Sequence, residues 1–284
     1  MYPQDIHQIS ELTATDGTGL ALHRWAPQGD ARGVLFYVHG IQSHAGWLFE
    51  TGPELAARGV VGYALDRRGS GLSGGGRGDL ASAEALLDDY RLGLDAARRE
   101  HPGLPVTVLG QSFGGSVVAG LAATGGGLDV ATVVYCTPAL GQQRARFGSV
   151  GLAAVRQLSG QDRAPIALED EDYTGEARYL EFMANDRLML RQITDRTRAT
   201  MVALEDSYAE LPVPVSPGAD VHFVRAERDP IIDLDVSEKT LRALHADFTT
   251  TSFAARHHYI EFSPARRDYW DWLAGIAGPA GARS

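Results

Sequence analysis

Ser112 stands at the centre of Gly110-Gln111-Ser112-Phe113-Gly114, between a β-prone run, Pro105-Val106-Thr107-Val108-Leu109, and a run of small and apolar residues from Gly115 to Ala123. That order suits a strand that ends in a sharp turn and feeds a helix. Such a turn strains its central residue and lifts the side chain above the sheet edge. The helix N-terminus beneath it favours developing negative charge. A serine held there can be a nucleophile. The five-residue pattern alone is weakly specific, because a second match exists at Gly71-Leu72-Ser73-Gly74-Gly75. Glycine-rich sequence flanks that match on both sides, no strand feeds it and no helix follows closely, so Ser73 reads as a loop residue. The competing reading of Ser112 is a polar residue in an ordinary strand-to-helix turn.

A nucleophilic serine needs a base to accept its proton and an acid to orient that base. Both candidates lie downstream, each just after a strand-like run. Asp229 follows Val221-His222-Phe223-Val224, and His257 and His258 follow Thr249 to Phe253. Three residue types with complementary roles, each at the same end of a separate strand, outweigh any one of them. Open α/β sheets place their sites at such strand ends. Glu227 and Asp233 are rival acids and read more simply as surface charges. His39 and His44 flank the end of another apolar run and read as loop braces. His7, His23, His101, His222 and His245 are scattered and describe no metal site.

The elements that must position these residues can be read from the apolar pattern. A hairpin is expected over Ile9 to Thr15 and Leu20 to Trp25, around Asp16-Gly17-Thr18-Gly19. Val34 to Val38 and Val60 to Leu65 are continuous apolar runs. Helices are expected over Trp47 to Arg58, over Ser82 to His101 and after Ser112. Another strand is expected over Ala131 to Cys136. Buried strands alternating with helices imply a mostly parallel sheet covered on both faces. From about Pro138 to Leu211 the pattern becomes helical or irregular, with no convincing buried strand, until Pro212-Val213-Pro214-Val215. Strands resume at Val221 and Thr249, and a last helix runs from Pro264 to about Ile276, before a tail, Gly278 to Ser284, expected to fray. This divides the chain into a core, 1–137 and 212–284, and an insertion, 138–211.

Composition narrows the function. A net charge of −10 argues against nucleic acid and anionic membrane surfaces as partners. Of the 26 basic residues only Lys239 is a lysine, a skew typical of a GC-rich bacterial gene. Cys136 is alone, so no internal disulfide and no thiolate metal cluster can form. Met1 to Asp5 does not open a signal peptide, and no apolar run reaches the roughly 20 residues that cross a bilayer. The expectation is a soluble, cytoplasmic protein whose oligomeric state is not readable.

Four segments resemble the monoacylglycerol lipase and lysophospholipase-like group of α/β-hydrolase serine hydrolases. They are Val38-His39-Gly40-Ile41-Gln42-Ser43-His44-Ala45-Gly46-Trp47, Ala64-Leu65-Asp66-Arg67-Arg68-Gly69-Ser70-Gly71-Leu72-Ser73, the Ser112 turn and Arg228-Asp229-Pro230-Ile231-Ile232. The chain order Ser, Asp, His is also that of α/β hydrolases. The resemblance covers the core on either side of the insertion. It implies an α/β-hydrolase fold, an eight-stranded sheet with a helical cap, and no cofactor. It implies Ser112 as nucleophile, Asp229 as acid and His258 as base, with His257 the alternative base. It implies an oxyanion hole from the N–H groups of Ile41 and Phe113. Arg225 departs from it, standing where glycine is common. Trp47, Met183 and Met189 are candidate pocket walls; for the methionines, packing of the cap on the core is the competing reading. The expected activity is hydrolysis of a small or medium carboxylic ester, such as a monoacylglycerol or lysophospholipid. A thioesterase, acyltransferase or cyclase would use the same acyl-enzyme, and a binding module would have lost it.

Overall fold

The computed structural model describes residues 6–209 and 218–278. In chain order its first half comprises β1 (His7–Thr13), β2 (Gly19–Trp25), β3 (Gly33–Val38), α1 (Thr51–Ala57), β4 (Val60–Leu65), α2 (Ala83–Glu100), β5 (Val106–Gln111), α3 (Phe113–Ala123) and β6 (Thr132–Cys136). Then come α4 (Gln142–Arg156), β7 (Arg163–Pro165), α5 (Asp170–Tyr173), α6 (Ala177–Asn185), β8 (Gln192–Thr194) and α7 (Asp195–Tyr208). The chain returns through β9 (Asp220–Ala226), α8 (Leu234–Leu244), β10 (Thr249–Phe253) and α9 (Arg266–Ile276).

Eight strands form one sheet in the order β1-β2-β4-β3-β5-β6-β9-β10. The β1–β2 and β2–β4 pairs are antiparallel and the remaining pairs are parallel. Continuous apolar sequence is what a strand buried on both faces requires. In β3, Val34, Phe36 and Val38 join the cluster under α2 and α3, while Leu35 and Tyr37 join the cluster under α1 and α9. The register aligns the ends of the later strands: Gln111 pairs with Cys136, Cys136 with Val224 and Ala226 with Phe253. Whatever follows β5, β9 and β10 therefore emerges along one rim.

The insertion departs from expectation. Arg163–Pro165 and Gln192–Thr194 pair as a small antiparallel ribbon in a region read as helical or irregular, with no convincing buried strand. Three residues per strand, several of them polar, are too few to establish a period of two. The helix expected from Trp47 is split into a 3-10 turn, Ala45–Leu48, and α1; the last helix begins at Arg266. The readings of Met1 to Asp5, of Pro212 to Val215 and of the tail beyond Gly278 lie outside the described residues. Among the described residues no helix is long and apolar enough to cross a membrane.

Candidate active site

Ser112 joins β5 to α3 with φ 55° and ψ −120°. An L-residue there is strained, and such strain persists only where the surroundings enforce it. Two glycines make it possible. A Cβ on Gly110 would sit 2.5 Å from the carbonyl oxygen of Gly114, and one on Gly114 would sit 1.9 Å from that of Val38. The Ser112 main chain is pinned as well: its N–H donates to Cys136 O at 3.1 Å, and its carbonyl accepts from Gly115 and Ala139 at 2.8 Å each. The side chain lines a cavity of about 360 Å3 together with Ile41, Phe113, Phe147, Met201 and Ile231.

Asp229 and His258 come together after β9 and β10. His258 Nδ1 lies 2.7 Å from Asp229 Oδ2, and both side chains are buried. Burial opposes ionisation of Asp229. The imidazole, together with the N–H groups of Ile231 and Ile232 donating to Oδ1 at 2.9 and 3.0 Å, outweighs it and holds the carboxyl below its ordinary range. When Nδ1 carries the proton that Asp229 accepts, Nε2 of the neutral ring is left as a lone-pair acceptor. Nε2 is buried and meets no partner among the described residues.

The His258 loop is held from both sides. From the sheet, Gln111 Nε2 and Thr137 Oγ1 approach its carbonyl at 3.5 and 3.4 Å. Thr137 follows β6 and, like Ser112, has a positive φ, 38°. From the insertion, Asp172 O accepts the His258 N–H at 3.0 Å and Tyr173 O accepts that of Tyr259 at 3.1 Å. The Tyr173 ring meets the imidazole edge-on at 5.8 Å. His257 points elsewhere, against Gly175, and is half-buried.

The loop after β3 forms the third wall. Gly40 lies against Ser112, so close that a Cβ on it would be 3.4 Å from the serine Cβ. The N–H groups of Ile41 and of Phe113, the first residue of α3, have no acceptor among the described residues. Arg67 stands behind this loop. It donates from Nη1 to Gly40 O at 2.9 Å and from Nη2 to Ile41 O at 2.7 Å, and its N–H donates to His39 Nε2 at 3.0 Å. Burial first, and Arg67 second, push the His39 pKa down to about 3, so the ring is neutral. His44 bridges to the insertion through Asp186 at 3.0 Å.

Other sequence candidates lie apart from this rim. Ser73 Oγ donates to Asp66 O and accepts from the Ala21 N–H, a loop-building role. Asp233 caps α8, and Glu227 is exposed. Trp47, Met183 and Met189 are buried with Tyr173, Tyr179, Tyr259 and Phe262 in a separate aromatic cluster, not in the Ser112 cavity. The competing reading, packing between insertion and core, describes them; the methionine in the cavity wall is Met201. Gln111, Thr137 and Tyr173 were not singled out from sequence as supports of the histidine, and nothing in their types marks them. Among the described residues no group of three or more His, Cys, Asp or Glu side chains could hold a metal ion.

A family model described as serine aminopeptidase S33 matches residues 29–264. The chain is similar to a monoacylglycerol lipase of Mycolicibacterium smegmatis, 34% identical over 169 residues, which are 59% of this chain and 59% of that protein. It is also similar to a human monoglyceride lipase, 31% identical over 117 residues, 40% of this chain and 39% of that one. The matches thus span under two thirds of these relatives. Among solved structures, a soluble variant of Saccharomyces cerevisiae monoglyceride lipase superposes with a TM-score of 0.79 at 17% identity, covering 98% of this chain and 100% of that one. A Bacillus coagulans carboxyl esterase superposes at 0.78 and 18% identity, covering 95% and 99%. At such identities the likeness is one of fold: an α/β-hydrolase sheet with its helices.

Proposed function

The chain belongs to the serine aminopeptidase S33 family of α/β hydrolases, and on that premise we propose that it cleaves carboxylic esters through an acyl-enzyme on Ser112. The observation that carries this reading is the buried His258–Asp229 pair, with Nε2 unpartnered, on the rim where Ser112 is held in a strained turn. His258 Nε2 takes the Ser112 proton as Oγ attacks the ester carbonyl. Asp229 stabilises the imidazolium and keeps the ring in the required tautomer. The carbonyl oxygen becomes negative and accepts hydrogen bonds from the N–H groups of Ile41 and Phe113. Collapse of this intermediate breaks the ester C–O bond, and the imidazolium gives its proton to the departing alcohol. Water then attacks the acyl-enzyme with His258 again as base, releasing the acid and restoring the serine.

The relatives named as monoacylglycerol and monoglyceride lipases and the mostly apolar lining of the cavity support this substrate class. At ~30 Å3 for each water-sized group, the cavity volume admits on the order of ten non-hydrogen atoms. That suits a small or medium acyl chain. Residues 138–211 act as the cap that closes over it. The test is a stopped-flow assay with p-nitrophenyl esters of increasing chain length. Pre-steady-state release of about one nitrophenol per enzyme, lost in Ser112→Ala and slowed by about 10³-fold or more in His258→Ala, is the expected result. His257→Ala retains the burst. A burst that survives Ser112→Ala contradicts the assignment.

A further inference from the structure

Arg67 is a cation where none is easily held. Its side chain is 1% exposed, and a buried charge is costly unless an opposite charge or a full set of hydrogen bonds compensates it. Its guanidinium meets no carboxylate at ion-pair distance among the described residues. The neighbouring Asp66 is engaged elsewhere: Oδ1 accepts from Ala45 N and Oδ2 from Leu72 N, at 2.7 Å each, and Oδ2 also faces His23. The Arg67 side chain instead reaches the carbonyls of Gly40 and Ile41 and lies over the Phe113 ring, 5.4 Å from its centroid. Its contacts thus converge on Gly40, Ile41 and Phe113, around the place where the ester oxygen would become negative.

The Gly40–Ile41 peptide translates this placement into chemistry. A trans peptide points its N–H opposite to its C=O. Holding the Gly40 carbonyl therefore fixes the direction of the Ile41 N–H, in a loop whose Gly40 packs against Ser112. A positive charge on the carbonyl also polarises the peptide and strengthens that donor. We propose that Arg67 is a positioning residue of the oxyanion site, fixing and polarising the Gly40–Ile41 peptide whose N–H meets the negative charge of the tetrahedral intermediate. The proposal rests on Ser112 being the nucleophile. No bond to Arg67 forms or breaks. Burial lowers its pKa, yet an arginine remains charged at neutral pH. An interaction made stronger in the transition state than in the ground state acts on kcat and leaves KM nearly alone.

The experiment compares native chain, Arg67→Lys, Arg67→Gln and Arg67→Met, with each preparation's active sites counted by end-point fluorophosphonate labelling of Ser112. Per labelled site, Arg67→Met and Arg67→Gln should lower kcat for a p-nitrophenyl ester by about 10²-fold, the usual effect of losing one oxyanion donor. KM should stay within about threefold. Arg67→Lys keeps the charge on one carbonyl and should recover part of the rate. The phosphonylation rate constant should fall in parallel. A kcat per labelled site within about threefold of the native chain, or a loss confined to KM, overturns the proposal and leaves a brace without electrostatic effect. If Arg67→Met does not fold, Arg67→Lys and Arg67→Gln decide: equal kcat in the two means that the charge is irrelevant. A native chain that takes up no label at Ser112 fails at the earlier step, and the role of Arg67 falls with it.

Discussion

Ser112, His258 and Asp229 owe their arrangement to neighbours that carry no chemistry themselves. His39 is one. Its neutral ring accepts the Arg67 N–H and sits beside Gly40 O at 2.9 Å, so it sets the loop behind Ser112. Its pKa falls from an ordinary 6.5 to about 3 on folding. Between these values the unfolded chain binds the extra proton. Stability is therefore complete above about pH 6.5 and declines as pH falls towards 3. Asp66 adds to the decline below its ordinary 3.8. Burial opposes its ionisation, but the His23 hydrogen bond and the Leu72 N–H hold it at about 2. Denaturant titrations at successive pH values should show the native chain losing up to about 1.4 kcal/mol per pH unit from this histidine. His39→Gln should flatten the slope, and an unchanged slope assigns the loss to other groups.

At the scale of elements, the turn between β5 and α3 is a packing problem as much as a catalytic one. Gly114 lets the first turn of α3 lie on the β3 carbonyls. A methyl group there would collide with backbone, which cannot rotate away. Gly114→Ala should cost about 3 kcal/mol, at the upper end of overpacking. This is measurable as a lower denaturant midpoint at unchanged slope, and it should depress ester turnover through Ser112. A neutral substitution would mean that the close contact relaxes freely. This turn was legible in the sequence because a strand, two glycines and a helix leave few alternatives. The β7–β8 ribbon was not legible, because three-residue strands carry no periodicity. The insertion methionines were legible only as apolar. The sequence reads Met183, Met189 and Met201 alike as apolar positions of the insertion, and only the packed structure separates the two in the aromatic cluster, one on α6 and one in the connection to β8, from the half-buried one in the cavity wall.

At the scale of the whole molecule, the register of the parallel strands is what unites residues far apart in sequence. Continuous apolar runs identified the sheet, and catalytic residue types at their ends identified the rim. The supports of His258 come from three different parts of the chain: Gln111 on β5, Thr137 after β6, and the backbone of Asp172 and Tyr173 in the insertion. Backbone contacts of that kind leave no trace in residue type. The insertion does more than line the cavity; its α5 segment is bonded to the histidine loop. In the proposed function all of this serves to make a single hydroxyl reactive. The most direct measurement is reaction of the native chain with a fluorophosphonate, followed by peptide mapping. One phosphonyl group on Ser112, absent in Ser112→Ala and retained in Ser73→Ala, is the predicted result. Label on any other residue, or undiminished label in Ser112→Ala, would contradict it.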